Sequence, residues 1–312
     1  YGSGKPVMGI LGEYDALSSL SQKAASPRKE PVEAGAPGHG CGHSALGTGS
    51  LAAVLAVKEY LVENKKDGTI IYFGCPAEEG AGSKQFMARA GMFDNVDFVY
   101  TWHPATINAV ECNHSNAIMG ANFEFKGVSS HAGGSPEAGK NALYAATCGL
   151  NAVNAIRETF VDGEHIRFHP IITEGGAAVN AIPETAKVES YVRGASFDSI
   201  RDYNKKVNLA LAGAAGSLGC KVELDDHPGY FPLNNDTNMT EILTEAMEAV
   251  TGPGTVTRGA WGTGCTDMGD VSAIMPAIHP HASGSIGTGH GKDYYVADKK
   301  AGCLYPAQCL TV

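Results

Sequence analysis

Residues 68–80, "GTIIYFGCPAEEG", form an apolar run that stops on two adjacent carboxylates, Glu78 and Glu79. A run of this length, rich in β-branched and aromatic residues and punctuated by glycine and proline, reads as a buried strand. Carboxylates at such an end are costly to bury unless something positive meets them. Working outward, "KPVMGILGEYDAL" (5–17) reads as a second buried strand entering an acidic loop at Glu13 and Asp15. A third, "VDFVYTW" (96–102), ends at His103-Pro104. Between them, "ALGTGSLAAVLAVKEYLVEN" (45–64) is helical, small and apolar at first and charged at its end, and "SKQFMARAGMF" (83–93) is a short helix. Strand, helix, strand, helix, strand predicts an α/β layer with ligands at the strand ends.

The pattern then changes. "ANFEFKG" (121–127) alternates like a half-buried strand, and Leu143, Ala146, Leu150, Val153, Ile156 and Phe160 mark one helical face. "IRFHPII" (166–172) and "AKVESYVRG" (186–194) alternate again. Ile200, Tyr203, Val207 and Leu211 mark a second helix, and "CKVEL" (220–224) a last strand. This βαββαβ order predicts a ferredoxin-like α+β unit over 118–229. It is inserted into a discontinuous α/β domain formed by 1–117 and 230–312.

Composition narrows the partners. The chain has 312 residues, 43% hydrophobic and 18% charged, with a formal net charge of −10. An acidic surface repels nucleic acid and anionic lipid, so neither is expected as a partner. "LAAVLAV" (51–57), the longest apolar run, reads as a buried helix rather than a membrane span. The eight cysteines show no disulfide-like spacing, and Cys75, Cys148 and Cys309 sit in apolar surroundings, as reduced core thiols do. A reducing, cytoplasmic compartment is the expectation. The sequence opens at Tyr1, close to a strand and without a methionine, so the natural start can lie upstream.

Three segments carry side chains suited to chemistry. "GHGCGH" (38–43) is either a polar turn or half of a metal site. In an extended loop, residues two apart point the same way, so Cys41 and His43 can reach one ion. Glu78 and Glu79, as neighbours in an extended segment, point opposite ways. One can bind metal while the other serves as general base; the alternative is a solvated helix start with its acids on the positive dipole end. His103 is a ligand or a hydrogen-bonded core histidine. Thiolate, imidazoles and carboxylate delivered to one sheet edge suit zinc, with cobalt or manganese possible.

Taken in order, "GEYDAL", "GHGCGHSALGTGSLAA", "CPAEEG", "TWHP", "GVSSHAGGSPEAGKNAL", "NAIPETAKVESYVR" and "TDMGDVS" resemble the amidohydrolase branch of the aminoacylase/carboxypeptidase metallopeptidases. The likeness is greatest to the p-aminobenzoyl-glutamate hydrolase B-subunit type and its dipeptidase relatives. The resemblance implies a zinc-peptidase-like catalytic domain with an inserted ferredoxin-like lid through which two copies dimerise. It implies Cys41, His43, Glu79 and His103 as ligands of one or two ions, zinc or manganese, and Glu78 as general base. It nominates His290, in "GTGHGKDYYVADKKAG", as the last ligand, with His279 and His281 in "IHPHASG" as alternatives. In the lid it implies His131 as an oxyanion donor acting across the dimer, and Asn180 and Arg193 as substrate-binding residues; Arg193 can equally be a surface ion-pair partner. The implied reaction is metal-assisted hydrolysis of the amide bond of N-acyl amino acids such as aminobenzoyl-glutamate-like compounds. A dipeptidase, or a metal-binding non-catalytic subunit working with a second, different chain, is the alternative.

Three features depart from the family pattern. Ser44 stands where relatives carry an acid or amide that supports the metal shell, which bears on whether a second ion is held. The helix and strand usual upstream of the first motif are missing. The stretch 251–266 is shorter, and Asp267 and Asp270 beside it read as loop or helix-cap residues rather than ligands.

Overall fold

A computed structural model of the protein describes residues 1–110, 115–259 and 262–311; Ala260 and Trp261 of the shortened stretch lie outside it. The chain divides into two compact units, one of residues 1–115, 233–262 and 266–312, the other of 116–232 and 263–265.

In the first unit the apolar runs become neighbours. The main sheet has the order Gly2–Ser3, Gly68–Cys75, Val7–Glu13, Phe98–Tyr100, Ala277–Ile278. Every pairing is parallel except that of Gly2–Ser3 with Gly68–Cys75. Strands covered on both faces need no alternation: Ile10 and Leu11 of the third strand in that order are both fully buried. On one face Ala53, Val57 and Leu61 of the helix His43–Glu63 pack against Ile10 and Ile70. On the other, Leu11 and Phe73 pack with Met87, Phe93, Met268 and Val271. Because the pairing is parallel with Glu13 opposite Cys75, the acidic loop and the Glu78–Glu79 segment leave the sheet at one edge. His103–Pro104 belongs to a second, mixed sheet of order Val256–Arg258, Asn108–Val110, His281–Ala282, His103–Pro104.

The helix His43–Glu63 is 21 residues long and by length and composition could cross a membrane. The expectation that "LAAVLAV" is buried holds for one side only, since Leu51 and Leu55 are exposed while Ala53 and Val57 face the sheet.

The second unit is an antiparallel sheet with the order Lys221–Pro228, Ala117–Lys126, Thr185–Gly194, Arg167–Phe168, and Ile171–Glu174 also pairs with Thr185–Gly194. The helices Ala142–Ile156 and Phe197–Ser217 share one apolar core with Phe123, Phe125, Val188 and Val192. Thr185–Gly194 alternates strictly, with Ala186, Val188 and Val192 inward. Three details differ from the sequence reading. "IRFHPII" is two short strands rather than one, separated by His169-Pro170, because proline has no N–H to give the ladder. The first helix stops at Ile156 and passes into a 3₁₀ turn, so Phe160 lies beyond it. Cys148 is exposed: the inward face of its helix is Ala142, Ala145, Ala146, Gly149 and Val153.

Candidate metal centre

Cys41 and His43 are not on an extended loop. Gly42 has φ 83, the left-handed region, and His43 is already the first residue of the long helix. A side chain at Gly42 would meet Tyr294 Oη at 2.7 Å and Pro104 Cβ at 2.9 Å. Glycine is therefore required there both by conformation and by space. The turn still brings the two side chains together: Cys41 Sγ, His43 and His103 offer ligand atoms within 4.8 Å of one another. Cys41 Sγ lies 3.3 Å from His103 Nε2.

Both imidazoles are held by their Nδ1 atoms. His43 Nδ1 is 2.9 Å from Asp15 Oδ1, and His103 Nδ1 is 2.9 Å from the Pro104 carbonyl oxygen. Donation from Nδ1 is the usual way a metal-bound histidine is held; it turns Nε2 of His103 toward Cys41 Sγ and Nε2 of His43 toward Glu13 Oε2, 3.2 Å away. Asp15 also holds the neighbouring segment, since its Oδ2 accepts from the Glu79 N–H at 3.0 Å.

Glu78 and Glu79 also depart from extended geometry. Ala77 has φ 58, and the pair sits in the turn that follows. Their carboxylates nonetheless join different groups: Glu79 meets Cys41 and His290, and Glu78 meets Glu13 and His43. Glu79 Oε1 is 3.5 Å from His290 Nε2, and the His290 N–H donates to the Gly40 carbonyl at 2.9 Å. Of the three candidates for the last ligand, His290 is the one in these clusters. His279 and His281 lie beside His103, each with ring centroids 5.8 Å from it.

Burial and clustered carboxylates dominate the electrostatics. Burial, then the Glu79 and Glu78 carboxylates, push the Cys41 thiol far up. Burial and the charge on Glu13 raise Glu78 to about 8. Burial works against charging His43, but Asp15, Glu13 and Glu78 outweigh it and raise its pKa. His103, by contrast, is depressed to about 4, chiefly by burial. Buried Glu79 Oε1 and His279 Nε2 have no hydrogen-bond partner among the described residues, and His43 Nε2 and Glu13 Oε2 have only each other, at 3.2 Å without hydrogen-bond geometry. Orphaned atoms of this kind, all able to donate lone pairs, fit a divalent cation.

Sequence reasoning missed a buried ion cluster next to this centre. Lys84 is fully buried, with Nζ 2.6 Å from Glu13 Oε1 and a second bond to Asp267 Oδ1. The Lys84 N–H also donates to Asp267 Oδ2 at 3.1 Å. Asp267 does stand at the cap position of the helix Met268–Ser272, but its side chain makes no cap bond there. It is an ion-pair partner instead. Asp270 lies in the first turn of that helix, and Ser44 is exposed.

The remaining predicted site residues lie in the second unit. His131 is exposed, and its Nδ1 accepts from the N–H groups of Gly133 and Gly134 at 3.2 and 2.9 Å. With Nδ1 accepting, the proton of the neutral ring sits on Nε2. Asn180 is exposed and its carbonyl accepts from the Ala132 N–H at 2.9 Å. Arg193 stands on the sheet face opposite the core, 6.0 Å from the Tyr191 ring, with Nε buried and unpartnered among the described residues.

Residues 9–303 match the sequence profile of peptidase family M20/M25/M40. The chain belongs to this family. Among M20/M25/M40 relatives, the p-aminobenzoyl-glutamate hydrolase B-subunit of Escherichia coli is 39% identical over 216 residues, covering 69% of this chain and 44% of that protein. Xaa-Arg dipeptidase of Mus musculus is 30% identical over 307 residues, 95% of this chain and 66% of the relative. The chain thus spans between about half and two thirds of the length of these curated relatives. A putative aminohydrolase from methicillin-resistant Staphylococcus aureus shares the fold, with a TM-score of 0.76 at 19% identity over 99% of this chain and 81% of the other.

Proposed function

We propose that this M20/M25/M40 chain carries the catalytic centre of a divalent-metal amidohydrolase that cleaves N-acyl amino acids, with aminobenzoyl-glutamate-like compounds as the substrate class. The observation that supports the reading is that Cys41 clusters with His43 and His103 on one side and with Glu79 and His290 on the other, while Glu78 meets His43 and Glu13. We assign Cys41, His43, Glu79, His103 and His290 to one or two ions of zinc or manganese; the thiolate favours zinc. A divalent ion held there would polarise an amide carbonyl and lower the pKa of a water molecule toward ~7. Glu78, whose carboxyl is raised by burial, takes the water's proton and hands it to the leaving amine.

Residues of the second unit complete the proposal. His131, with its proton on Nε2, suits an oxyanion donor contributed by a second copy of the chain, the unit serving as lid and dimer contact. Arg193 holds the substrate's carboxylate, its planar guanidinium binding both oxygens at once, and Asn180, beside His131 at the far end of the strand Thr185–Gly194, is assigned a separate contact with the substrate. Arg193, His169 and His227, together with Glu189, line a cavity of about 440 Å³. That donor-rich lining supports an acidic amino acid over the arginine of an Xaa-Arg dipeptide. The relative's name specifies one subunit of a larger enzyme, so reconstitution with a different second chain belongs in the assay. The unpaired, buried Cys75 and Cys309 support a reducing, cytoplasmic setting.

A panel of N-acyl glutamates, other N-acyl amino acids and dipeptides tests the reading, with Glu78→Gln as the companion variant. Expected are turnover of acyl-glutamates by the metal-loaded parent, and a variant that keeps its metal but loses 10²–10⁴-fold in kcat. Preferred cleavage of Xaa-Arg dipeptides favours the dipeptidase alternative. A parent that binds metal but hydrolyses nothing favours the non-catalytic subunit.

A further inference from the structure

We infer that Tyr294 is a positioning residue that sets the spacing between the segments carrying Cys41, His103 and His290. The inference rests on the reading of those three as metal ligands. Its phenol lies at their junction. Tyr294 Oη is 3.3 Å from the Cys41 carbonyl oxygen, 3.4 Å from the Pro104 carbonyl oxygen and 3.0 Å from Ser285 Oγ. The Pro104 carbonyl is the same atom that accepts from His103 Nδ1 at 2.9 Å. One hydroxyl therefore faces the backbone of the thiol ligand and the group that orients the imidazole.

The third segment is tied through the backbone. The Tyr294 N–H donates to the Gly291 carbonyl at 3.4 Å, and His290 N–H donates to Gly40 O at 2.9 Å, next to Cys41. A turn of five residues thus joins His290 to the phenol that touches the other two segments. The space is also committed: the phenol oxygen sits 2.7 Å from the position a Cβ on Gly42, between Cys41 and His43, would take. The hydroxyl sits against the Cys-Gly-His turn and bridges it to the His103 segment.

A phenol has one proton. Three acceptors stand within its reach, Ser285 Oγ at 3.0 Å and the two carbonyls at 3.3 and 3.4 Å, so its contact with each carbonyl is long and shared. Loss of that hydroxyl should loosen ligand geometry while leaving the hydrophobic packing of the ring intact. Groups that orient ligands from behind typically change metal affinity 10–100-fold when removed.

The experiment compares cobalt-loaded parent, Tyr294→Phe, Ser285→Ala and, as control, Tyr295→Phe. Cobalt reports coordination directly through its ligand-field bands and thiolate charge-transfer band, and affinity comes from chelator competition. Expected for Tyr294→Phe are a native circular dichroism spectrum, altered cobalt bands and a 10–100-fold loss of affinity. Tyr295→Phe should match the parent. Ser285→Ala should shift the bands in the same direction by less, and it stands in for Tyr294→Phe if that variant does not fold. Parent-like bands and affinity in Tyr294→Phe, or an equal change in Tyr295→Phe, overturn the inference. With Tyr294→Phe unfolded, parent-like behaviour of Ser285→Ala does so. A parent that takes up no cobalt overturns the metal assignment itself, and this inference with it.

Discussion

Replacing Lys84 by methionine should cost more stability than any other single exchange near the centre. Methionine keeps most of the buried stem but removes the ammonium that pairs with Glu13 and Asp267, both almost fully buried. Breaking a buried pair by deleting one partner typically costs about 3–5 kcal/mol, because the other charge is left without compensation. At a urea dependence of roughly 2 kcal/mol/M, that is a midpoint lower by about 1.5–2.5 M. Fluorescence of Trp102, buried in the same unit, is a suitable probe. The pH dependence carries a sign. Burial, together with Glu13, already raises Asp267 above its ordinary value. Against burial, Lys84 and His43 hold Glu13 below its ordinary value, so without Lys84 both carboxylates rise. A group whose folded pKa exceeds its unfolded pKa favours the fold at low pH and loses that contribution as pH rises through the folded value. The deficit of Lys84→Met should therefore shrink toward pH 4 and widen toward neutrality. Combining it with Glu13→Gln and Asp267→Asn should recover most of the loss. A midpoint shift under about 0.5 M at pH 7, or a deficit that grows on acidification, would refute the argument.

Two further outcomes follow from the site. Asp15→Ala removes the acceptor that holds His43 Nδ1 and the Glu79 N–H; metal affinity by chelator competition should fall 10–100-fold, and unchanged affinity would show that neither contact orients a ligand. Metal uptake should release protons, since burial and Glu79 keep the Cys41 thiol protonated until a cation replaces its proton. Calorimetry in buffers of different ionisation enthalpy should then show about one proton or more released per ion, with affinity rising with pH; uptake without release would exclude Cys41 as a ligand.

What could be read from sequence followed from periodicity. Gly68–Cys75 and Val7–Glu13 declared themselves as apolar runs because both faces are covered, and Thr185–Gly194 as an alternating strand because one face is not. Strands of two residues such as His103–Pro104 and His281–Ala282 are too short to carry any period. The residue types of the centre were legible, but their local geometry was not. Assuming extended backbone at Cys41–His43 and Glu78–Glu79 overlooked Gly42 and Ala77, whose positive φ makes each segment a turn. Lys84 was opaque for a different reason: its partners are 71 and 183 residues away, and nothing local marks a lysine as buried. Tyr294 reaches Cys41 across 253 residues, which no spacing rule anticipates.

The assignment of Cys41, His43, Glu79, His103 and His290 to a cation is tested most directly by zinc X-ray absorption on the loaded parent beside Cys41→Ser. A sulfur shell at ~2.3 Å with nitrogen and oxygen at ~2.0–2.2 Å, the sulfur vanishing in Cys41→Ser alone and persisting in Cys303→Ser, is the predicted result. A parent spectrum without sulfur, or one whose sulfur survives loss of Cys41, would contradict it.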